Sequence, residues 1–281
     1  GMDNVEDWLH RFKERSETLV HGTSVADIIK AKAEGKTAVI LGWQNASPIE
    51  NRIDRLELFH ALGLRIIQVT YNERNLLGNG CYERTDEGLS RFGVDAIQEM
   101  NRLGMIVDLS HAGRQTCLDA ISLSSKPVAI SHANPQFFHK SIRNIDDEVL
   151  KNLAKKDGFI GLSLYPLHLK NHGDCTLEEF CMMVHQLVGK IGIEHVGIGS
   201  DLCKNWPDEV VMWMRNGKWT KKKDYGESTN KDTSWPKQPA WFEKGSDIIN
   251  IFNGLLKSGM NENDAFKILG SNWLEFMKEH F

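Results

Sequence analysis

No stretch of this chain approaches the ~18 consecutive apolar residues that a membrane-crossing helix needs, and no basic start followed by an apolar core marks a secretory leader. The sequence therefore predicts no membrane partner and a cytoplasmic location. An excess of charge of one sign is missing too: 34 basic and 38 acidic side chains leave a formal net charge of −4. That balance gives no electrostatic footprint for nucleic acid or an anionic surface, so the expected partner is a small molecule. The five cysteines, Cys81, Cys117, Cys175, Cys181 and Cys203, include no Cys-x-x-Cys pair, and an odd number cannot all pair within one chain. Free thiols in a reducing compartment are the expectation. No Pro/Gly/Ser-rich linker divides the 281 residues, which predicts a single α/β domain over 1–281.

What the chain does have is a repeated pattern. Met-Ile-Val-Asp-Leu-Ser-His ends at His111, and Lys-Pro-Val-Ala-Ile-Ser-His ends at His132, 21 positions later. Apolar runs of this length without alternation suit strands buried on both faces, as in parallel sheets. The spacing fits one strand-helix-strand unit, with a helix over 114–123. If the strands are neighbours, the two rings stand roughly 5 Å apart at the same height, the inter-strand spacing. That is the C-terminal end of the strands, where α/β barrels do their chemistry. Two neutral imidazoles converging there are able to share a metal ion; the plainer reading has each ring bonding a strand-end backbone group.

The rest of the chain follows the same alternation. Surface helices are predicted over 5–20 and, capped by Ser24, to Ala33, with no strand before Thr37. Strands are predicted at 37–42 and 65–70, then in the two runs that end at His111 and His132, then at 158–164 and 195–201, with helices between. Two helices, 241–258 and 262–278, close the chain. A long polar loop, 72–88, follows the second strand, and long loops at that end are usually functional. Five of the eight tryptophans (Trp206, Trp213, Trp219, Trp235 and Trp241) fall in one segment after Asp201. Part of that segment is expected over the pocket mouth or in a subunit contact. The Lys221-Lys222-Lys223 run within it reads as a solvated loop. Six strands alternating with helices argue a parallel sheet with right-handed crossovers. A (β/α)₈ barrel needs two more, so the fold is an open doubly wound sheet or a TIM-type barrel incomplete at its N-terminus.

Strand ends present Gln44, Tyr71, His111, His132 and Asp201. Asp201 has two physical uses, as a metal ligand and as the base for a metal-bound water, against a plain use as a cap or loop carboxylate. Arg143, in a short loop after His132, has the planar fork that clamps a carboxylate.

On these residues the chain resembles the renal or membrane dipeptidase family of zinc peptidases, in its bacterial branch. The resemblance rests on Val107-Asp108-Leu109-Ser110-His111, Ile130-Ser131-His132, Arg143-Asn144 before an acidic helix start and Gly197-Ile198-Gly199-Ser200-Asp201. Gly88-Leu89-Ser90-Arg91-Phe92-Gly93 and the closing Gly270-Ser271-Asn272-Trp273 complete it. It implies a (β/α)₈ barrel with a binuclear zinc site that cleaves dipeptides. His111 and His132 would hold one zinc, and Asp201 would serve the other and the proton transfers. Arg143, with Asn144 and Tyr71, would bind substrate. The chain departs from that pattern in three places. It has no His-x-Asp pair before His111. Gln44 stands where the family bridges its zincs with a Glu, and a neutral amide cannot offset two dications. Tyr71 stands where the family has a His, and a phenol still donates a hydrogen bond there.

The expectation is therefore a dipeptidase-like metallo-hydrolase acting on a small amide or dipeptide, with one zinc ion or none. Two other readings stay open: a metal-poor barrel homologue that binds a small molecule, and a metal-independent lyase or isomerase using a His with Asp201. Six strands would leave two open edges and an exposed apolar interior, so a homo-oligomer is expected to cover them.

Overall fold

Short apolar runs, most of them feeding a helix with a side-chain cap or an acidic first turn, set the architecture. The structure, a computed structural model, describes residues 1–215 and 234–281. The chain opens with α1 (Met2–Glu14), β1 (Leu19–His21), α2 (Val25–Ala33) and β2 (Thr37–Val39). Ser24 starts α2 as expected: its hydroxyl accepts from the amide of Asp27, whose carboxylate accepts from the amide of Ser24.

Two expectations need correcting here. A strand does precede Thr37, since β1 pairs in parallel with β2, Leu19 opposite Thr37. It is three residues long and half-buried, with His21 stacked 4.7 Å from Phe12, so it shows no apolar run to read. The strand predicted over 37–42 is likewise broken at Ile40. Its first half pairs with β1, while β3 (Leu41–Trp43) opens the main sheet.

From there the alternation holds: α3 (Arg55–Ala61), β4 (Leu64–Gln68), α4 (Arg91–Leu103), β5 (Ile106–Asp108), α5 (Arg114–Leu123), β6 (Ala129–Ala133), α6 (Asp147–Lys155), β7 (Phe159–Leu162), α7 (Leu177–Ile191) and β8 (Val196–Ile198). Ser90, Asp146 and Thr176 cap α4, α6 and α7 through their side chains. The main sheet runs β3-β4-β5-β6-β7-β8, six strands, all parallel. After β8 come α8 (Asp208–Arg215), α9 (Ile248–Lys257), α10 (Glu262–Phe266) and α11 (Asn272–Lys278), the last two joined through a π turn over Lys267–Ser271. None of the helices described is long and apolar enough to cross a membrane.

The two faces of the sheet are filled differently. Ile67, Val107, Ile130, Ile160 and Val196 join the helices in the main core. The alternate positions Ile66, Ile106, Ala129 and Phe159 form a second cluster with Trp273, Phe276, Met277 and Phe281. The inner face is thus not left bare, as six strands alone would leave it, because α11 packs into it. The same helix covers the free side of β8. Asn272 Nδ2 donates to the carbonyls of Ile193 (2.7 Å) and Val196 (2.9 Å), and Trp273 Nε1 donates to that of Ile198 (2.8 Å). Side chains therefore satisfy the outward carbonyls that another strand would have met. On the other side of the sheet β3 pairs with β4, with Gly42 exposed between buried Leu41 and Trp43.

This arrangement predicts the effect of Trp273→Phe, which keeps a ring against Phe159 but removes the donor to Ile198. A loss of about 1–2 kcal/mol in urea unfolding is expected, the cost of one unmet carbonyl. An unchanged midpoint would mean that water reaches that edge freely.

Candidate active site

Parallel pairing of β5 with β6 brings the two Ser-His ends together. The imidazole centroids of His111 and His132 are 5.1 Å apart, the spacing of neighbouring strands, and their Nε2 atoms face each other at 3.0 Å. Both residues are buried. Each ring is held at its other nitrogen: His111 Nδ1 lies 2.6 Å from Asn72 Oδ1, and His132 Nδ1 lies 2.7 Å from Ser131 Oγ. Tyr71 stacks on His111 with centroids 4.2 Å apart.

A cavity of ≈170 Å³ opens beside the pair, lined by Gln44, Tyr71, His111, Arg143, His168 and Asp201 among others. Arg143 is buried, its Nη2 donates to the His132 carbonyl (3.2 Å), and its Nε has no partner among the described residues. Burial, then the charge of Arg143, holds His111 well below its ordinary pKa, so the ring is neutral. Burial, then the nearby Asp201 carboxylate, raises the Tyr71 phenol, which stays protonated and able to donate. Trp206 and Trp235 border the cavity, tied by the Trp235 indole N–H to the Trp206 carbonyl (2.8 Å). Trp219, Lys221, Lys222 and Lys223 lie outside the described residues.

Asn144 does not join this set. Its Nδ2 donates to the carbonyls of His139 (2.9 Å) and His168 (3.0 Å), and its Oδ1 accepts from the amide of Asn134 (3.0 Å). With those bonds made it braces the loop that carries Arg143 instead of facing substrate, which corrects the sequence expectation. It borders a larger hollow of ≈650 Å³ near the start of α6, which contains neither imidazole.

The spacing of the imidazole pair is one that a hydrogen bond or a shared metal ion would both accept. Two nitrogens on one tetrahedral zinc at about 2.0–2.1 Å lie about 3.3 Å apart, close to the 3.0 Å seen. Both Nδ1 atoms already have the oxygen partners that metal-bound histidines use to fix their orientation. A larger set is not assembled. Among the described residues no three His, Cys, Asp or Glu side chains converge on one point. The other two metal positions expected from the sequence, Gln44 and Asp201, both line the cavity that His111 faces.

The profile of the membrane dipeptidase family (peptidase family M19) matches residues 3–210. The chain belongs to that family. A dipeptidase of Claviceps purpurea is 27% identical over 277 residues, covering 97% of this chain and 58% of its own length. An uncharacterised dipeptidase of Schizosaccharomyces pombe is 33% identical over 173 residues, covering 59% of this chain and 42% of its own. The chain thus spans about half the length of the curated relatives it matches. An amidohydrolase from Pseudomonas aeruginosa superposes with a TM-score of 0.92 at 33% identity, over 99% of this chain and 83% of that one. A metallopeptidase of Rhodobacter sphaeroides, at 22% identity and a TM-score of 0.81, shares the fold.

In this dipeptidase-family chain the structure adds two cavity residues that the sequence reading passed over. Asn72 holds His111, and its left-handed backbone (φ 59°) is the sort of position an Asn tolerates after a strand. His168 lies in a single 3₁₀ turn past β7, its Nδ1 2.8 Å from Ser163 Oγ and its carbonyl gripped by Asn134 and Asn144. The available signal was its place: a third histidine shortly after a strand end.

Burial, followed by the charge of Arg143, keeps His168 well below its ordinary value. Below pH ~6.5 the unfolded chain binds a proton there that the folded chain refuses. The resulting stability is present above that pH and lost as pH falls. Replacing His168→Gln should flatten the acid limb of a stability-against-pH curve by up to about 1.4 kcal/mol per pH unit. Parallel limbs in urea titrations of the two proteins would show that this ring charges without unfolding.

Proposed function

We propose that this chain is a metal-assisted hydrolase for a small amide with a free carboxylate, a dipeptide being the natural case. The observation that carries the reading is the facing pair of imidazole nitrogens, 3.0 Å apart, beside a buried guanidinium whose Nε has no partner. A buried charged donor left unmet is costly unless a ligand meets it, and a carboxylate is the matching acceptor. The size of the cavity also favours a small substrate. At ≈170 Å³ it falls below the ~300–1,000 Å³ of sites for drug-sized ligands.

The residues divide the work as follows. Arg143 binds and orients the carboxylate. Tyr71, kept protonated, donates to the carbonyl of the scissile amide. Asp201 takes the proton from the attacking water and returns it to the departing amine. His111 and His132 would hold the ion. Zinc, when bound there, supplies a Lewis acid and a water acidic enough to attack at neutral pH.

The test is a panel of dipeptides and their C-terminal amides on zinc-loaded protein. Dipeptides should be cleaved, the amides poorly, and Arg143→Gln should lose roughly 10–10² in kcat/KM on the free acids alone, the worth of one charged hydrogen bond. Asp201→Asn should lower kcat by about 10²–10⁴. Equal turnover of acids and amides would remove Arg143 from the substrate.

Metal stoichiometry is a separate measurement. Elemental analysis of protein purified without chelators should find one equivalent of zinc or less, and Gln44→Glu should tighten zinc binding by adding a carboxylate to the cavity wall. Two tightly held equivalents in the unaltered chain would contradict the single-ion reading.

A further inference from the structure

The two imidazoles are not held in the same way. Behind His132 stands Asp108, the last residue of β5, buried with its carboxylate fully engaged. Its Oδ1 accepts from the amides of Ser110 (3.0 Å) and Ser131 (2.9 Å), and its Oδ2 accepts from the Ser131 hydroxyl (2.5 Å). A serine hydroxyl has one hydrogen. With that hydrogen given to Asp108, Ser131 Oγ can only accept from His132 Nδ1, 2.7 Å away. His132 therefore carries its hydrogen on Nδ1 and turns a bare Nε2 towards His111. Ser110 closes the set: its Oγ accepts from the amide of His132 (3.0 Å), and its hydrogen is free to go to Ser131 Oγ (3.2 Å). No rotation reverses this, because the chain of donors ends on a carboxylate, which has no hydrogen to offer.

His111 ends differently. Its Nδ1 faces the side-chain amide of Asn72, and an amide turned by 180° presents a donor where it presented an acceptor. If Asn72 offers its oxygen, His111 also has a bare Nε2, and two lone pairs face each other at 3.0 Å. That arrangement needs a cation between them. If Asn72 offers its NH₂, His111 carries its hydrogen on Nε2 and donates it to His132, and the empty pair is satisfied.

We propose that Asp108 and Ser131 are positioning residues that fix His132 with Nε2 permanently bare, while the Asn72 amide lets His111 change tautomer, donating to His132 when the site is empty and turning a lone pair to the ion when it is filled. The inference rests on the reading of the pair as a metal centre. The His111 ring stays neutral throughout: one proton leaves Nε2 and one is taken up at Nδ1 through water. Such a pair leaves neither facing Nε2 unmet in either state, which a site with two locked acceptors cannot do.

The experiment is a long-range ¹H–¹⁵N correlation of the histidine rings in the whole ¹⁵N-labelled chain at neutral pH, before and after one equivalent of zinc. The expected spectrum of metal-free protein has His132 protonated at Nδ1 and His111 at Nε2, with zinc moving the proton of His111 alone. In Asp108→Asn, the amide oxygen is held by the two backbone N–H groups, so the NH₂ faces Ser131 Oγ. The serine hydrogen then turns to His132, which should switch to Nε2–H, and zinc affinity should fall 10–100-fold. Asn72→Asp should do the reverse, locking His111 as an acceptor and tightening zinc binding. Circular dichroism checks the fold of both variants, and if Asp108→Asn does not fold, the unaltered chain and Asn72→Asp decide. His132 protonated at Nε2 in the metal-free chain, or an unchanged His132 in folded Asp108→Asn, would overturn the inference. Correct tautomers without dipeptide cleavage would support it and sink the hydrolase reading. Cleavage with His132 protonated at Nε2 would do the opposite.

Discussion

A carboxylate enclosed by protein keeps its charge only when donors meet its oxygens, and in this fold that condition falls on Asp108. Of its three donors, two belong to Ser131 on the next strand. The residue thus acts as a tie between the ends of β5 and β6, beyond the point where the backbone ladder stops at Leu109 to Ala129. A second tie runs the other way, from the amide of His132 to Ser110 Oγ. Two crossed links of this kind leave little freedom in the relative height of the two strand ends. The facing of the imidazoles follows from it, and so does the cavity beside them. The apolar runs place the strands; the buried polar groups at their ends set the register that chemistry needs.

The sheet must also curl tightly for its ends to converge, and small residues permit it. A Cβ on Gly161 would stand 2.1 Å from the Ser131 carbonyl oxygen, and one on Gly199 only 1.7 Å from it. Glycine at both places lets β6, β7 and the end of β8 close around the layer that holds Ser131. Below that layer the inner face is apolar, and six strands cannot fill it among themselves. The C-terminal helix α11 does so with Trp273, Phe276 and Met277, while Asn272 and Trp273 bond the free side of β8. One short helix therefore meets two needs of an incomplete circle of strands, a filling for its interior and donors for its edge.

Legibility in the sequence followed the range of the interactions. The strand and helix alternation from β4 to β8 was readable because each strand carries its own apolar run and α4, α6 and α7 carry side-chain caps; α5, without one, still begins and ends at the residues expected. His111 and His132 were readable because the same strand ending occurs twice. Where a role depends on contacts from distant segments, the sequence misled or said nothing. The resemblance implies a substrate role for Asn144, yet its bonds go to His139, His168 and Asn134. Asp108 stood within a recognised motif, but its partner on the neighbouring strand was not visible there. The break at Ile40 and the strand at Leu19–His21 were missed because three-residue strands carry no periodicity to detect.

The backbone at the cavity leaves strand geometry for the left-handed region. Asn72, His111 and Asp201 have φ of 59°, 62° and 51°, the left-handed region in which a residue with a Cβ costs on the order of 1 kcal/mol or more. These three follow β4, β5 and β8, so strand geometry ends at the point where the cavity begins. The glycine-rich loop after β4 supplies part of what opposes the strain. The amide of Tyr82 donates to the Asn72 carbonyl (3.0 Å), that of Cys81 donates to the His111 carbonyl (2.8 Å), and Gly80 pairs with Ala112. One loop therefore grips the two residues whose side chains meet through Asn72 Oδ1 and His111 Nδ1.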